Sequence, residues 1–248
     1  MVRLFSSFDL GMKFTFKSFS VNQSKSAMKV GTDGVLLGAW VSVAHRPHSV
    51  LDVGSGTGLI ALMLAQRTSA EQIDAVEIDS NAFEECTENF EESPWNDRLF
   101  CYHASFDDFV NEMEGETYDL IISNPPFYTQ NVTTAHLQRN QARFEVSLPF
   151  ENLLRGASLL LSPQTGIFAV IVPFEEETLF LEKATAYGLF PQKITHVKGN
   201  PKTKIKRSLI AFSKNQQHCL CDELVIETER HQYTPKYIEL TKDFYLNL

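Results

Sequence analysis

From His48 onward, short apolar runs rich in β-branched residues alternate with longer amphipathic stretches. Runs of that length between turn residues predict strands, and apolar positions recurring every three or four residues predict helices. Seven strands are expected, at Ser49 to Val53, Ile73 to Ile78, Leu99 to His103, Tyr118 to Ser123, Gly166 to Val172, Lys193 to Val197 and Ser208 to Phe212. Between them, helices are expected at Leu59 to Ala65, Asn81 to Glu91, Asp107 to Glu112, Leu148 to Leu161 and Glu175 to Tyr187. Ser147 is placed to cap the fourth, with Pro149 tolerated in its first turn and Ser162-Pro163 closing it. This alternation predicts an α/β fold, a seven-stranded, mostly parallel sheet with helices on both faces.

Residues 1–47 carry a different pattern. Phe14 to Val21 alternates apolar with polar, as a small hairpin strand does, and Gly31-Thr32-Asp33-Gly34 reads as a turn before an apolar helix from Val35 to Val43. No repeat, low-complexity segment or linker interrupts the chain. At 248 residues and 43% hydrophobic, it is expected to form one domain over 1–248, with 1–47 as a short β/α extension. No apolar run approaches the ~20 residues that cross a bilayer, and Met1 to Ser6 lacks the features of a signal peptide, so a soluble cytoplasmic protein is expected.

Charge changes the picture through its distribution. The formal net charge of -9 opposes indiscriminate phosphate binding, yet no acidic residue falls between Glu182 and Asp222, where Lys183, Lys193, Lys198, Lys202, Lys204, Lys206, Arg207 and Lys214 all lie. Arg3, Lys13, Lys17, Lys25 and Lys29 precede Asp33 with only Asp9 against them. A basic surface on an acidic body suits a selective RNA binder; ordinary solvated lysines are the plainer reading. Cys86, Cys101, Cys219 and Cys221 lack the spacing of a zinc site or a disulfide scaffold, so no metal is expected.

Leu51-Asp52-Val53-Gly54-Ser55-Gly56-Thr57-Gly58-Leu59 follows a strand and opens a helix, the context of a nucleotide-binding loop. Glycine permits positive φ and close approach of a ligand to the backbone, while the helix terminus offers unpaired N–H groups. The Gly-x-Gly-x-Gly spacing is one residue shorter than the dinucleotide fingerprint, which disfavours NAD. Glu77 ends the next strand, where a carboxylate can accept from both hydroxyls of a ribose. Strand, loop, helix, strand and acid together resemble the Rossmann-like methyltransferases, whose cofactor is S-adenosylmethionine. That resemblance implies that Gly54, Ser55, Gly56 and Gly58 underlie the methionine part, that Glu77 with Ile78 holds the adenosine, and that Asp52 orients the loop.

Asn124-Pro125-Pro126-Phe127 stands at the carboxyl end of the strand ending at Ser123. Ligands of open α/β sheets bind at such ends, so this loop and the glycine loop should share one crevice. An exocyclic amino nitrogen is a poor nucleophile because its lone pair is delocalised into the base. If the Asn124 side-chain carbonyl and the Pro125 main-chain carbonyl each accept one of its N–H groups, the lone pair can be aimed at an electrophile. Pro126 stiffens the loop, and Phe127 offers a face on which an extruded base stacks. The tetrad resembles amino-methyltransferases acting on adenine, on guanine N2 or on the glutamine amide of release factors, and does not separate them.

The run Met28 to Trp40, preceded by Phe14 to Val21, resembles the start of the bacterial tRNA1(Val) adenine-N6 methyltransferases. The likeness continues through Ser93-Pro94-Trp95, Asn124 to Phe127, Ala142-Arg143, Tyr233 to Tyr237 and Asp243 to Leu246. It implies, as substrate, the adenine beside the anticodon of a valine tRNA, and it sets Thr32, Asp33 and Gly34 over the methionine end of the cofactor. It further implies tRNA contacts in the basic stretch Lys202, Lys204, Lys206 and Arg207; Lys29 and Arg143 join these as candidates, and a monomer is expected. One departure stands out. Ala104-Ser105-Phe106 occupies the place where such enzymes often carry an acid facing the cofactor adenine, so Ser105 is expected to accept one hydrogen bond and Phe106 to pack on the ring, with Asp107 or Asp108 as substitutes. The competing readings are a release-factor glutamine methyltransferase, an rRNA guanine-N2 methyltransferase and a non-catalytic RNA-binding protein of the same fold.

Overall fold

The computed structural model describes residues 13–126 and 148–247. The described residues open with a hairpin of β1 (Lys13–Thr15) and β2 (Ser20–Asn22), then α1 (Thr32–Trp40). The body runs β3 (Ser49–Val53), α2 (Leu59–Arg67), β4 (Gln72–Glu77), α3 (Ser80–Glu91), β5 (Leu99–His103), α4 (Phe106–Glu112) and β6 (Leu120–Ser123). After residues 127–147 come α5 (Phe150–Leu160), β7 (Ile167–Pro173), α6 (Glu177–Ala186), β8 (Phe190–Lys198), β9 (Arg207–Ser213) and β10 (Leu220–Val225). A second hairpin, β11 (Glu227–Glu229) with β12 (Gln232–Tyr233), leads into α7 (Pro235–Thr241).

The central sheet has eight strands in the order β10-β8-β9-β7-β6-β3-β4-β5. All neighbours pair in parallel except β9, which is antiparallel to both β7 and β8. The seven expected strands are present, and β10 corrects the number to eight. It was missed because Leu220 to Glu223 are all exposed and carry no alternation; main-chain pairing with β8 holds this edge.

Adjacent residues of the central strands point to opposite faces, so one apolar run feeds two cores. Val50, Ile73, Ala75, Leu120 and Ile122 pack under α1, α2, α3 and both hairpins. Leu51, Val76, Ile121, Phe168 and Val170 pack against α4, α5 and α6. On the first face α1 lies close to α2. A Cβ at Gly38 would come 2.8 Å from Met63 Sδ, and one at Gly34 would come 3.2 Å from Leu59 Cδ2. These glycines therefore serve helix packing, and α1 begins three residues before the expected Val35 because Gly31, in an extended conformation, precedes the first turn.

Other boundaries follow local chemistry. Asp79 caps α3 by accepting from Ala82 N at 2.9 Å. Pro149 stands before α5 rather than within it, and Ser147 lies outside the described residues. The first hairpin meets the segment after α7: Phe16 stacks on Phe19 at 4.7 Å and lies 5.9 Å from Tyr245, while Lys17 N donates to Phe244 O at 2.8 Å. That contact explains why aromatic residues cluster near both termini.

Candidate active site

Three neighbouring strands, β6, β3 and β4, end side by side, with Val53 in register with both Ser123 and Val76. At ~4.8 Å between strands, the segments that follow them fall within roughly 10 Å of one another. The chain runs from β3 outward through β4 to β5 and then returns to β6 on the other side, so β3 marks the switch point where α/β sheets open a crevice. Ser123, which the sequence reading passed over, closes this arrangement: its hydroxyl donates to Val53 O at 2.8 Å, tying the Asn124-Pro125 loop to the root of the glycine loop.

Gly54, Gly56 and Gly58 all have positive φ, at 70°, 56° and 77°. Their neighbours differ. A Cβ at Gly54 or Gly56 would meet nothing within 4 Å, whereas one at Gly58 would lie 2.5 Å from Phe90 Cε1 and 2.8 Å from Cys86 Sγ. The first two leave the outer side of the loop open to a ligand, and the third lets α3 pack against the start of α2.

Glu77 is 8% exposed and joins the loop to the next turn. Its Oε2 accepts from Gly56 N at 2.8 Å and its Oε1 from Asp79 N at 2.9 Å. Ile78 beside it is 43% exposed, an apolar face next to a carboxylate. Asp52 is buried beneath the loop, its Oδ2 accepting from Ala61 N at 3.1 Å; Oδ1 has no hydrogen-bond partner among the described residues. Burial, reinforced by the charge of Glu77 and only partly offset by the Ala61 bond, pushes the Asp52 carboxyl up to about 7. An open glycine surface, a carboxylate at the following strand end, an exposed aliphatic face and an orphaned buried acceptor together fit an adenosine carrying a cationic side arm.

Thr32, Asp33 and Gly34 form the first turn of α1, and Gly34 rests on Leu59, the residue after Gly58, so the extension lies against the loop. Asn124 and Pro126 are half-buried and Pro125 is buried at the end of β6. Phe127 and Arg143 lie outside the described residues.

Several expected roles change. Ser105 caps α4: its hydroxyl accepts from Asp108 N at 3.1 Å and donates to Asp108 Oδ2 at 2.6 Å. Phe106 is 5% exposed and packs into the second core, where a Cβ at Gly156 would meet its ring at 2.4 Å; its ring fills the space between α4 and α5 rather than facing a ligand. Asp107 is bonded to Asn152 at 2.5 Å and Arg155 at 2.7 Å, which leaves exposed Asp108 as the acid at this edge.

The basic candidates also divide. Lys202, Lys204 and Lys206 are exposed at alternate positions between β8 and β9. Arg207 instead donates from Nε to Asp33 Oδ2 at 2.8 Å and is half-buried, and Lys29 uses its ammonium to hold Gln23 O and Ser26 O. A separate cleft of about 450 Å³ beside Trp40, Lys193, Asp222 and Lys236 lies away from these loops. There Lys236 is already paired with Asp222, and Lys193 lies over the Trp40 ring. Among the described residues no group of three or more His, Cys, Asp or Glu side chains is placed to hold a metal ion, and no helix is long and apolar enough to cross a membrane.

Residues 8–144 match the family model described as "Methyltransferase small domain". A protein of Flavobacterium psychrophilum named tRNA1(Val) (adenine(37)-N6)-methyltransferase is 61% identical over 235 residues, covering 95% of this chain and 100% of that one. A protein of the same name from Bacteroides fragilis is 44% identical, with 95% and 98% covered. Among solved structures, a predicted O-methyltransferase from Agrobacterium tumefaciens superposes with a TM-score of 0.67 at 18% identity, over 86% of this chain and 96% of that one, a likeness of fold.

Proposed function

Since the chain belongs to the family of tRNA1(Val) (adenine(37)-N6)-methyltransferases, we propose that it transfers a methyl group from S-adenosylmethionine to N6 of adenine 37 in a valine tRNA. When bound, the cofactor supplies a methyl group made electrophilic by a sulfonium centre. The open backbone at Gly54 and Gly56 would receive it, Glu77 would accept from its ribose hydroxyls, and Ile78 would cover one face of its adenine. Thr32, Asp33 and Gly34 would close over the methionine end. Ser105 and Asp108 stand at the edge of the same strand ends.

The acceptor amine must present its lone pair. The Asn124 side-chain carbonyl and the Pro125 carbonyl would each take one N–H of the N6 amino group, holding the nitrogen toward a tetrahedral arrangement, while Phe127 would stack on the extruded base. Positive charge then develops on nitrogen only as the bond forms, so the excess proton leaves afterwards to water and no buried base is required. Lys202, Lys204 and Lys206 would meet tRNA phosphates. Residues 1–248 would act as one domain and as a monomer; the packing of the first hairpin on Phe244 and Tyr245 supports the first of these.

The observation that carries the reading is the hydrogen bond from Ser123 to Val53 O, which keeps the proposed acceptor loop next to the proposed donor loop. Radiolabelled cofactor offered to valine tRNA and, separately, to release factor tests it, with digestion of the products. Label is expected in N6-methyladenosine, and Asn124→Ala is expected to abolish transfer while changing tRNA affinity by less than about threefold. Label in the protein substrate would overturn the choice of acceptor. Undiminished transfer by Asn124→Ala would overturn the role of Asn124.

A further inference from the structure

On one face of α3, two buried polar side chains bond only to other parts of the chain. Asn89 is 1% exposed; its Nδ2 donates to Asn22 O at 3.0 Å and to Thr57 O at 2.9 Å, and its Oδ1 accepts from Asn22 N at 2.7 Å. Glu85, one turn earlier and fully buried, accepts from Ser24 Oγ at 3.1 Å, Lys25 N at 2.8 Å and Ser26 N at 2.8 Å. Between them Cys86 receives a weak bond from Ser55 Oγ at 3.6 Å. A single helical face therefore grips residues 22–26 with one set of bonds and the glycine loop with another.

The gripped segment is closed on itself. Lys29 holds the carbonyls of Gln23 and Ser26, and Gln23 Oε1 accepts from Val30 N at 2.8 Å. It leads directly into α1, whose Gly34 rests on the first residue of α2. The segment is thus fixed to the loop at both ends, through Asn89 to Thr57 and through Gly34 to Leu59. If the loop shifts, Asn89 must give up its bond to Thr57 or drag Asn22 with it, because a buried amide left without partners is costly.

We propose that Asn89, supported by Glu85, is a positioning residue for methyl transfer: it makes the glycine loop and residues 22–30 a single unit, so that cofactor binding and ordering of the extension are linked. This rests on reading Gly54 to Gly58 as the cofactor loop. Linkage is reciprocal: a ligand that holds the loop protects the extension, and releasing the extension weakens the ligand.

The test measures binding of S-adenosylhomocysteine by calorimetry and hydrogen exchange of residues 22–30 with and without it, in the full chain and in Asn89→Ala. In the unsubstituted chain the ligand is expected to slow exchange of 22–30. In Asn89→Ala that protection should vanish and affinity should fall by about 10- to 200-fold, the effect of losing three buried hydrogen bonds. The KM for S-adenosylmethionine should rise in parallel, while kcat at saturation and the KM for tRNA stay within about threefold, a split that a general loss of folded protein does not give. Unchanged affinity in the variant, or exchange of 22–30 that ignores the ligand in the unsubstituted chain, would overturn the proposal. If Asn89→Ala does not fold, Glu85→Gln decides. It leaves Thr57 untouched and weakens only the grip on residues 24–26, so weaker binding supports the linkage and unchanged binding overturns it. A parent chain that binds no cofactor would overturn both the reading of the loop and the linkage; binding unaffected by the variants overturns the linkage alone.

Discussion

Gly56→Ala and Gly58→Ala should fail in opposite ways, although both replace a positive-φ glycine of one loop. At either site an L-residue in the left-handed region costs about 1–2 kcal/mol. Gly56 has no further penalty, because a Cβ there meets nothing within 4 Å. At Gly58 the methyl would lie 2.5 Å from Phe90 and 2.8 Å from Cys86, both buried. Overpacking of that kind adds about 1–3 kcal/mol, for a total of about 2–5 kcal/mol. For a chain of this size each kcal/mol moves the melting temperature by roughly 2–4 °C, which gives a drop of about 4–20 °C for Gly58→Ala and about 2–8 °C for Gly56→Ala. Ligand response should reverse the order. The open side of Gly56 is where a cofactor would lie, so its methyl occupies ligand space, whereas the Gly58 methyl points away into α3. Melting curves with and without S-adenosylhomocysteine separate the two, since a ligand at a hundred times its Kd adds about 2.7 kcal/mol. Gly56→Ala should keep most of its unliganded stability and lose the ligand-induced rise; Gly58→Ala should melt early and keep the rise. A full ligand response in Gly56→Ala, or unliganded melting of Gly58→Ala indistinguishable from the parent, would refute the division of labour within the loop.

Two further outcomes follow from buried and exposed charge. With its carboxyl raised to about 7, Asp52 in the folded chain keeps a proton that the unfolded chain releases above about 4, so the stability it permits is present below that value and declines as pH rises toward 7. The decline amounts to about 4 kcal/mol at most, and Asp52→Asn should remove it; urea unfolding of the ligand-free protein at pH 5 and pH 8 should show the variant gaining on the parent at the higher pH, and an equal difference at both would refute it. Replacing Lys202, Lys204 and Lys206 together with alanine should reduce the salt slope of tRNA binding by about 2–3, and adding Arg207→Ala should change it little further; an unaltered slope in the triple variant would remove the basic loop from the RNA interface.

What the sequence disclosed depended on which atoms do the work. Central strands such as Val50-Leu51 and Ile121-Ile122 face a core on both sides, so their apolar runs were legible. The glycine loop was legible because its requirement falls on the backbone, where positive φ at Gly54, Gly56 and Gly58 is most readily met by glycine. Boundaries set by tertiary contact were not: Gly34 looks like a turn residue and Gly38 an indifferent helix position in a single sequence, but closeness of α1 to α2 is what demands both. Side chains that bond to distant main chain were also hidden. Ser123 reaches Val53, and Asn89 reaches both Asn22 and Thr57, across gaps that no local periodicity can reveal. Ser105 and Phe106 show the converse: their place after a strand suggests the ligand, while the structural work of the side chains, capping α4 and filling the second core, is not visible in sequence.

Arg207 carries the same reasoning to the proposed RNA contacts. Counted along the sequence, it is one of four equivalent cations, and a model of phosphate binding by charge density alone would weight it like the three lysines. Its Nε is paired with Asp33 and its guanidinium also donates to Lys206 O, so freeing it for phosphate would leave a half-buried carboxylate in the first turn of α1 unpaired. Breaking that pair opposes much of what one more phosphate contact supplies, because a solvent-screened phosphate contact and a half-buried ion pair are of similar strength. On the proposed reading the phosphate contacts would fall to Lys202, Lys204 and Lys206, which are exposed between β8 and β9, while Arg207 ties the start of β9 to the first turn of α1.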